Sequence, residues 1–304
     1  MHKSLQYVIN AINKIRSNFL NSRLFAQLCE ENDEVFTRLL LHTEVRWLSR
    51  GSCLEIFSSI FESVLEFLQE KDPNLKEKLN NCKTDIYYLT DIFGMFNKVN
   101  LQLQGDDLNL IKTKSIISAF VGKLILYKQN LGRKQYSQFL HLSKLPEMLH
   151  DDDILLYVTH LDALHKDFEE RFEDLLNLQI PQWIINPYDT TAIEEANLIM
   201  QEELITISTD EELKQKFNQG YQKFWLQRNI ATQYPTLWNI AEKYLIAFPS
   251  SYLVEKSFSV VTNILTKQRN RLKINERGDL RLQLTNIKPD VARLVDSHQV
   301  HPSH

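Results

Sequence analysis

FPSSYLVEKSFSVVTNILTKQRNRL, residues 248–272, reads as one amphipathic helix holding a single acid, Glu255. Pro249 sets the approach, and Ser250 or Ser251 can cap the first free amides. Val254, Phe258, Val261 and Leu265 recur at three- and four-residue steps, widened by Leu253, Val260 and Ile264. At about 100° per residue Glu255 falls off that stripe, beside Ser251, Ser259, Thr262 and Thr266. Short hydroxyl side chains around a carboxylate let another backbone, a metal or a nucleic acid come close. The simpler account is an acid complementing the helix dipole, worth about 0.3–1 kcal/mol. From this helix alone both accounts stand.

Outward from it, the whole chain favours helices. Its 304 residues are 43% hydrophobic and 24% charged, enough for at least one full core. Seven glycines and eight prolines are few for that length, and Asn-Gly and Asp-Gly hairpin signals are missing. A net charge of −4 argues against a dominant polyanion-binding surface, yet it hides a basic end. Lys256, Lys267, Arg269, Arg271, Lys273, Arg277 and Arg281 stand against Glu255, Glu276 and Asp279, while acids crowd residues 147–174. Cys29, Cys53 and Cys82 are too scattered for a metal knuckle and odd in number, which fits a reducing compartment. No signal-peptide pattern opens the sequence, and no apolar run reaches membrane-spanning length.

Apolar periodicity predicts helices over 5–15, 18–31, 54–68, 75–104, 108–130 and 152–176. A short extended piece is expected at 36–41, and Ser52-Cys53-Leu54-Glu55 reads as a capping box opening the third helix. The two prolines of 180–191 mark a structured connector. Helices resume over 193–207, 210–229, 236–248, 251–266 and 275–284, and no fixed period suggests a solenoid.

Several tempting constellations fail on spacing. His150 and Asp151-Asp152-Asp153 are adjacent residues that point in different directions on a helix, so they read as a capping acid run. His298, His301 and His304 lie on a polar tail suited only to adventitious metal. Arg46-Trp47, beside Glu44, Ser49 and Arg50, offers an aromatic face for an unpaired base with guanidiniums for phosphates. It could equally be a Trp closing the core beneath a helix start, with Arg46 paired to Glu44.

Two stretches, HTEVRWLSRG at 42–51 and SSYLVEKSFSVVTNILTKQRNRLKINERGDLRLQL at 250–284, resemble two marks of hAT-superfamily transposases. Together with LNSRLFAQLCEE at 20–31, they are most similar to the domesticated branch associated with BED fingers and transcription factor II-I repeats. The resemblance runs through essentially the whole chain, though it is specific mainly in these segments. It implies a mainly α chain: a helical insertion domain over 1–230, then a ribonuclease-H-like remnant with the dimerisation region over 231–296, and a disordered tail at 297–304. In the family two Asp and one Glu hold two divalent metals, and the Glu maps onto Glu255. The stacking Trp and its Arg map onto Trp47 and Arg46.

The two Asp ligands have no counterpart here, because the chain opens in a helix corresponding to material after them. Two-metal chemistry clamps its cations about 3.5–4 Å apart, which one carboxylate cannot do. Glu255 is thus expected to be vestigial, and the chain to be no enzyme. No cofactor is expected, and Mg or Mn would enter only with a complete parent enzyme. Homodimerisation, or pairing with related hAT-derived proteins, is expected through Leu245, Phe248, Val254, Phe258, Val261, Leu265, Leu280 and Leu284. The alternative is DNA binding without cleavage through Arg46, Trp47, Arg50, Lys267, Arg269 and Arg271. The resemblance implies residence in the nucleus, failing which the cytoplasm; an active transposase is the remotest outcome.

Overall fold

Side-chain caps start many of these helices. Asn18 accepts the Leu20 N–H at 2.9 Å to open α2 (Phe19–Glu31), which follows α1 (His2–Arg16). Asp72 both ends α4 (Phe61–Lys71) and caps α5 (Pro73–Asn81), accepting the Leu75 N–H at 3.1 Å and an ion pair from Lys14 at 2.6 Å. Pro73 at the first helical position costs nothing there, since its missing N–H would have been unpaired. Asn109 opens α7 (Leu110–Gly132) in the same way. The computed structural model describes residues 1–40, 47–105, 107–194, 196–246 and 260–261, with the main chain alone at 47–50, 190 and 192. Every regular element among them is helical, so the mainly α expectation holds.

The chain divides into two units, Met1–Ala247 and Phe248–His304. In the second, only residues 260 and 261 are described; both are helical and half-buried. The first unit contains three hydrophobic clusters. One is built by α1 and α2, α3 (Trp47–Ser59), α4, α5 and the first half of α6 (Lys83–Gln102), around Val8, Ile12, Phe57, Val64 and Ile86. Another joins α6, α7 and α8 (Asp151–Arg171), where Tyr88 stacks on Tyr157 at 4.1 Å. The third gathers α10 (Gln182–Ile185) and α12 (Leu198–Thr209) with α13 (Glu211–Phe217), α14 (Tyr221–Trp225), α15 (Arg228–Gln233) and α16 (Pro235–Leu245). Two short helices, α9 (Glu173–Leu176) and α11 (Thr190–Glu194), lie between. The expected domain boundary at 230/231 falls inside this third cluster, between Ile230 and Tyr234.

Four expectations need correction. The third helix begins at Trp47, not at Ser52, so Ser52 lies inside it. Packing overrides the capping signal: α3 lies on α6, and Gly51 permits that approach, since a Cβ there would meet the Asn97 side chain at 2.1 Å. The extended piece at 36–41 is irregular chain as far as Leu40; buried Leu39 is fastened by Arg16, whose guanidinium donates to its carbonyl at 2.7 Å. Four long helices are interrupted: three at Ile60, Cys82 and Phe172, where φ lies near −112° instead of the helical value, and that of 210–229, which breaks into Glu211–Phe217, Tyr221–Trp225 and Arg228–Gln233. The connector at 180–191 is itself partly helical and buries Trp183 and Ile184.

Candidate association region and cationic groove

The third cluster is fixed from within by two polar contacts. Glu203, on α12, accepts the N–H groups of Thr236 at 3.3 Å and Leu237 at 3.0 Å, so a carboxylate from one helix caps the N-terminus of α16. That placement satisfies free amides and complements the positive end of the helix dipole. Trp225 donates its indole N–H to the Ile184 carbonyl at 2.8 Å, with the rings of Trp183 and Phe224 edge-on at 5.5 and 5.2 Å. Between α13 and α14 the chain turns at Gly220, φ +100° and ψ 150°, a conformation open essentially to glycine alone.

Of the residues expected to form a dimer contact, Leu245 is 5% exposed inside this cluster. Val261 is helical and half-buried. Phe248, Val254, Phe258, Leu265, Leu280 and Leu284 lie outside the described residues, as do Glu255, Lys267, Arg269 and Arg271.

A second feature escaped the sequence reading. The end of α1, the start of α2 and residues 37–39 enclose a groove of about 330 Å³. Arg16, Arg23 and Arg38 line it with Phe19 and Ser22, and no acidic side chain lines it among the described residues. The corner is stiff: Asn21 donates to the Lys14 carbonyl at 3.1 Å, and Ser22 to the Ile15 carbonyl at 3.1 Å. Cys53 of α3 donates its thiol hydrogen to the Leu40 carbonyl at 3.4 Å, tying the segment down from the other side. Phe19 stands 86% exposed at the rim. Among the described residues no acid of the groove balances these three guanidiniums, whose mutual repulsion an anion would relieve. From this groove the chain runs on to Arg46, outside the described residues, and to Trp47 and Arg50, whose backbone is helical. Arg16 and Arg38 belong to no motif, and only folding gathers them with Arg23.

Other titratable groups serve as fasteners. Asp91 on α6 is buried and accepts the backbone N–H groups of His141 at 3.0 Å and Leu142 at 2.9 Å. It also meets His141 Nδ1 at 2.9 Å, while Nε2 of that ring faces Glu55 at 3.3 Å. The Asp91 bond holds the His141 pKa above the usual imidazole value. The acid run at 151–153 behaves as a helix start: the His150 N–H donates to Asp153 at 3.2 Å, and Asp151 pairs with Lys134 at 2.7 Å. Burial pushes all three thiols up to about 11, far from the reactive range. Among the described residues, no three His, Cys, Asp or Glu side chains converge as metal ligands, and no helix is long and apolar enough to cross a membrane. His298, His301 and His304 lie outside those residues.

Comparison with known proteins bears on the same two regions. The model of the FAM200/GTF2IRD2 helical domain matches residues 1–132, ending where α7 ends. That of the hAT family C-terminal dimerisation region matches residues 207–279, from the last turn of α12 through α16 and into the second unit. Over residues 207–279 the chain is thus similar to hAT-family proteins. The chain is also similar to the General transcription factor II-I repeat domain-containing protein 2 of Bos taurus, 27% identical over 275 residues. The alignment covers 90% of this chain and 28% of the relative, so the chain spans little more than a quarter of that protein's length. No solved structure matches the chain.

Proposed function

We propose that this chain acts by associating with a second copy of itself, or with a related hAT-derived protein, and does not cut DNA. The observation that carries this reading is the dimerisation region over residues 207–279, whose first half folds as α13–α16 on a well-packed core. Within these 304 residues the family resemblance supplies one metal-ligating carboxylate, Glu255, where a two-metal centre needs three. The name of the bovine relative refers to a general transcription factor, which supports a regulatory role in the nucleus. Sedimentation velocity on the purified chain at roughly tens of micromolar tests the proposal. A dimer is expected; a monomer throughout that range overturns self-association.

A second reading is nucleic-acid contact without cleavage, supported by the charge of the Arg16, Arg23 and Arg38 groove. This groove would act with Arg46, Trp47 and Arg50, and with Lys267, Arg269 and Arg271. Its signature is an affinity for DNA that weakens as salt rises. Replacing Arg23 by Ala should lower the slope of log affinity against log salt by about one, and Trp47→Ala should weaken binding at every salt concentration. Affinity indifferent to salt removes this reading. Metal-dependent cleavage abolished by Glu255→Gln would contradict both readings.

A further inference from the structure

Helix α12 carries apolar side chains on two opposite faces. Leu204 and Ile207 are fully buried in the third cluster, and Met200 packs beside them. On the other side Leu198 is 78% exposed, Ile199 71% and Ile205 51%. At about 100° per residue, Leu198, Glu202, Ile205 and Thr209 form one outward strip, with Ile199 and Thr206 along its flank. A helix that is apolar all round belongs inside a protein, yet this one lies at the surface. Its other acid, Glu203, is turned away to cap α16, which leaves Glu202 as the single charge on the strip.

The hydroxyls on and beside this face are already satisfied within the helix. Thr206 donates to the Glu202 carbonyl at 2.9 Å, while Ser208 and Thr209 each donate to the Ile205 carbonyl at 2.9 Å. Another helix could therefore approach closely without stripping water from unpaired donors. What favours a second copy as occupant is continuity. Residues 207–209 of α12 already lie in the dimerisation region, and the helix packs against α13 and α16, which lie within it. A twofold contact sets the strip against its own copy, residue i meeting j and j meeting i, so off the axis the Glu202 of one chain lies away from that of the other and the strip can pair with itself at little electrostatic cost.

We propose that Leu198, Ile199 and Ile205 form part of the surface on which a second copy of this chain docks, extending the dimerisation region one helix face upstream. This inference rests on the self-association proposed above. The test compares the wild type with a variant carrying Leu198→Ser, Ile199→Ser and Ile205→Ser, by sedimentation across a concentration series. Circular dichroism checks that the helices persist; if the triple variant loses them, Ile205→Asp alone carries the measurement. The expected result is a dimer dissociation constant raised at least about tenfold with unchanged helical signal. A wild-type dimer matched in strength by a folded variant overturns this inference and leaves the association reading standing. A monomeric wild type overturns both.

Discussion

Asp91 and His141 form a densely coordinated polar contact between α6 and the loop after α7. The carboxylate sits in the core of α6 and gathers two backbone N–H groups and an imidazole from a loop about fifty residues further on. Asp91→Ala would strand those buried donors, at an expected cost of about 2–4 kcal/mol in urea unfolding. The histidine makes the contact pH-dependent. Its folded pKa is raised, chiefly by the bond to Asp91 and further by Glu55, with burial and Lys144 opposing. Protonation therefore stabilises the folded state: the contribution is complete below the unfolded value near 6.5 and is lost as pH rises through the folded one. The difference in unfolding free energy between wild type and His141→Gln should shrink across that window. A difference that stays flat with pH would show that the ring does not act through its charge. Neither residue stood out in the sequence, because a single Asp in a helical pattern carries no sign of what it will meet so far along the chain.

Among the elements, the helices were legible and their interruptions were not. Leu54, Phe57, Phe61, Val64 and Leu68 keep one apolar face across the break at Ile60, so their spacing cannot reveal it. The same holds at Cys82, where Leu79 and Ile86 enter one cluster from two helices. Gly220 is a break of a different kind, enforced by backbone geometry. Gly220→Ala should cost about 1–3 kcal/mol although nothing lies within 4 Å of the added methyl, because φ is +100°. Gly122→Ala, on the exposed side of α7 and equally unobstructed, should instead stabilise by up to about 1 kcal/mol. Thermal denaturation of the two variants side by side gives the signs. Equal shifts would mean that the turn at Gly220 is not held in that conformation.

For the whole molecule, the two proposed interactions respond oppositely to salt. Self-association through Leu198, Ile199 and Ile205 is mainly the removal of apolar surface from water, which salt does not screen. Its dissociation constant should change less than about threefold between roughly 0.1 and 0.5 M sodium chloride. DNA contact through Arg16, Arg23 and Arg38 should lose about tenfold or more over the same interval. Sedimentation and DNA-binding titrations in matched buffers separate the two. A dimer that falls apart with added salt would point to an interface made by charges, such as the acids of α8 against the basic C-terminal segment.

The sequence by itself determined that this chain is helical, where most of its helices lie, and that its C-terminal region resembles a dimerisation segment. Those properties are written in apolar spacing and in short motifs, and both survive without knowledge of the neighbours. Tertiary structure alone decided which apolar faces are used up and which stay open. Leu245 is buried in the third cluster, whereas α12 keeps Leu198 and Ile205 outside. It also gathered Arg16, Arg23 and Arg38 at one corner. The reason is physical: periodicity records that a face is apolar, but burial and charge clustering depend on contacts between segments far apart in the chain.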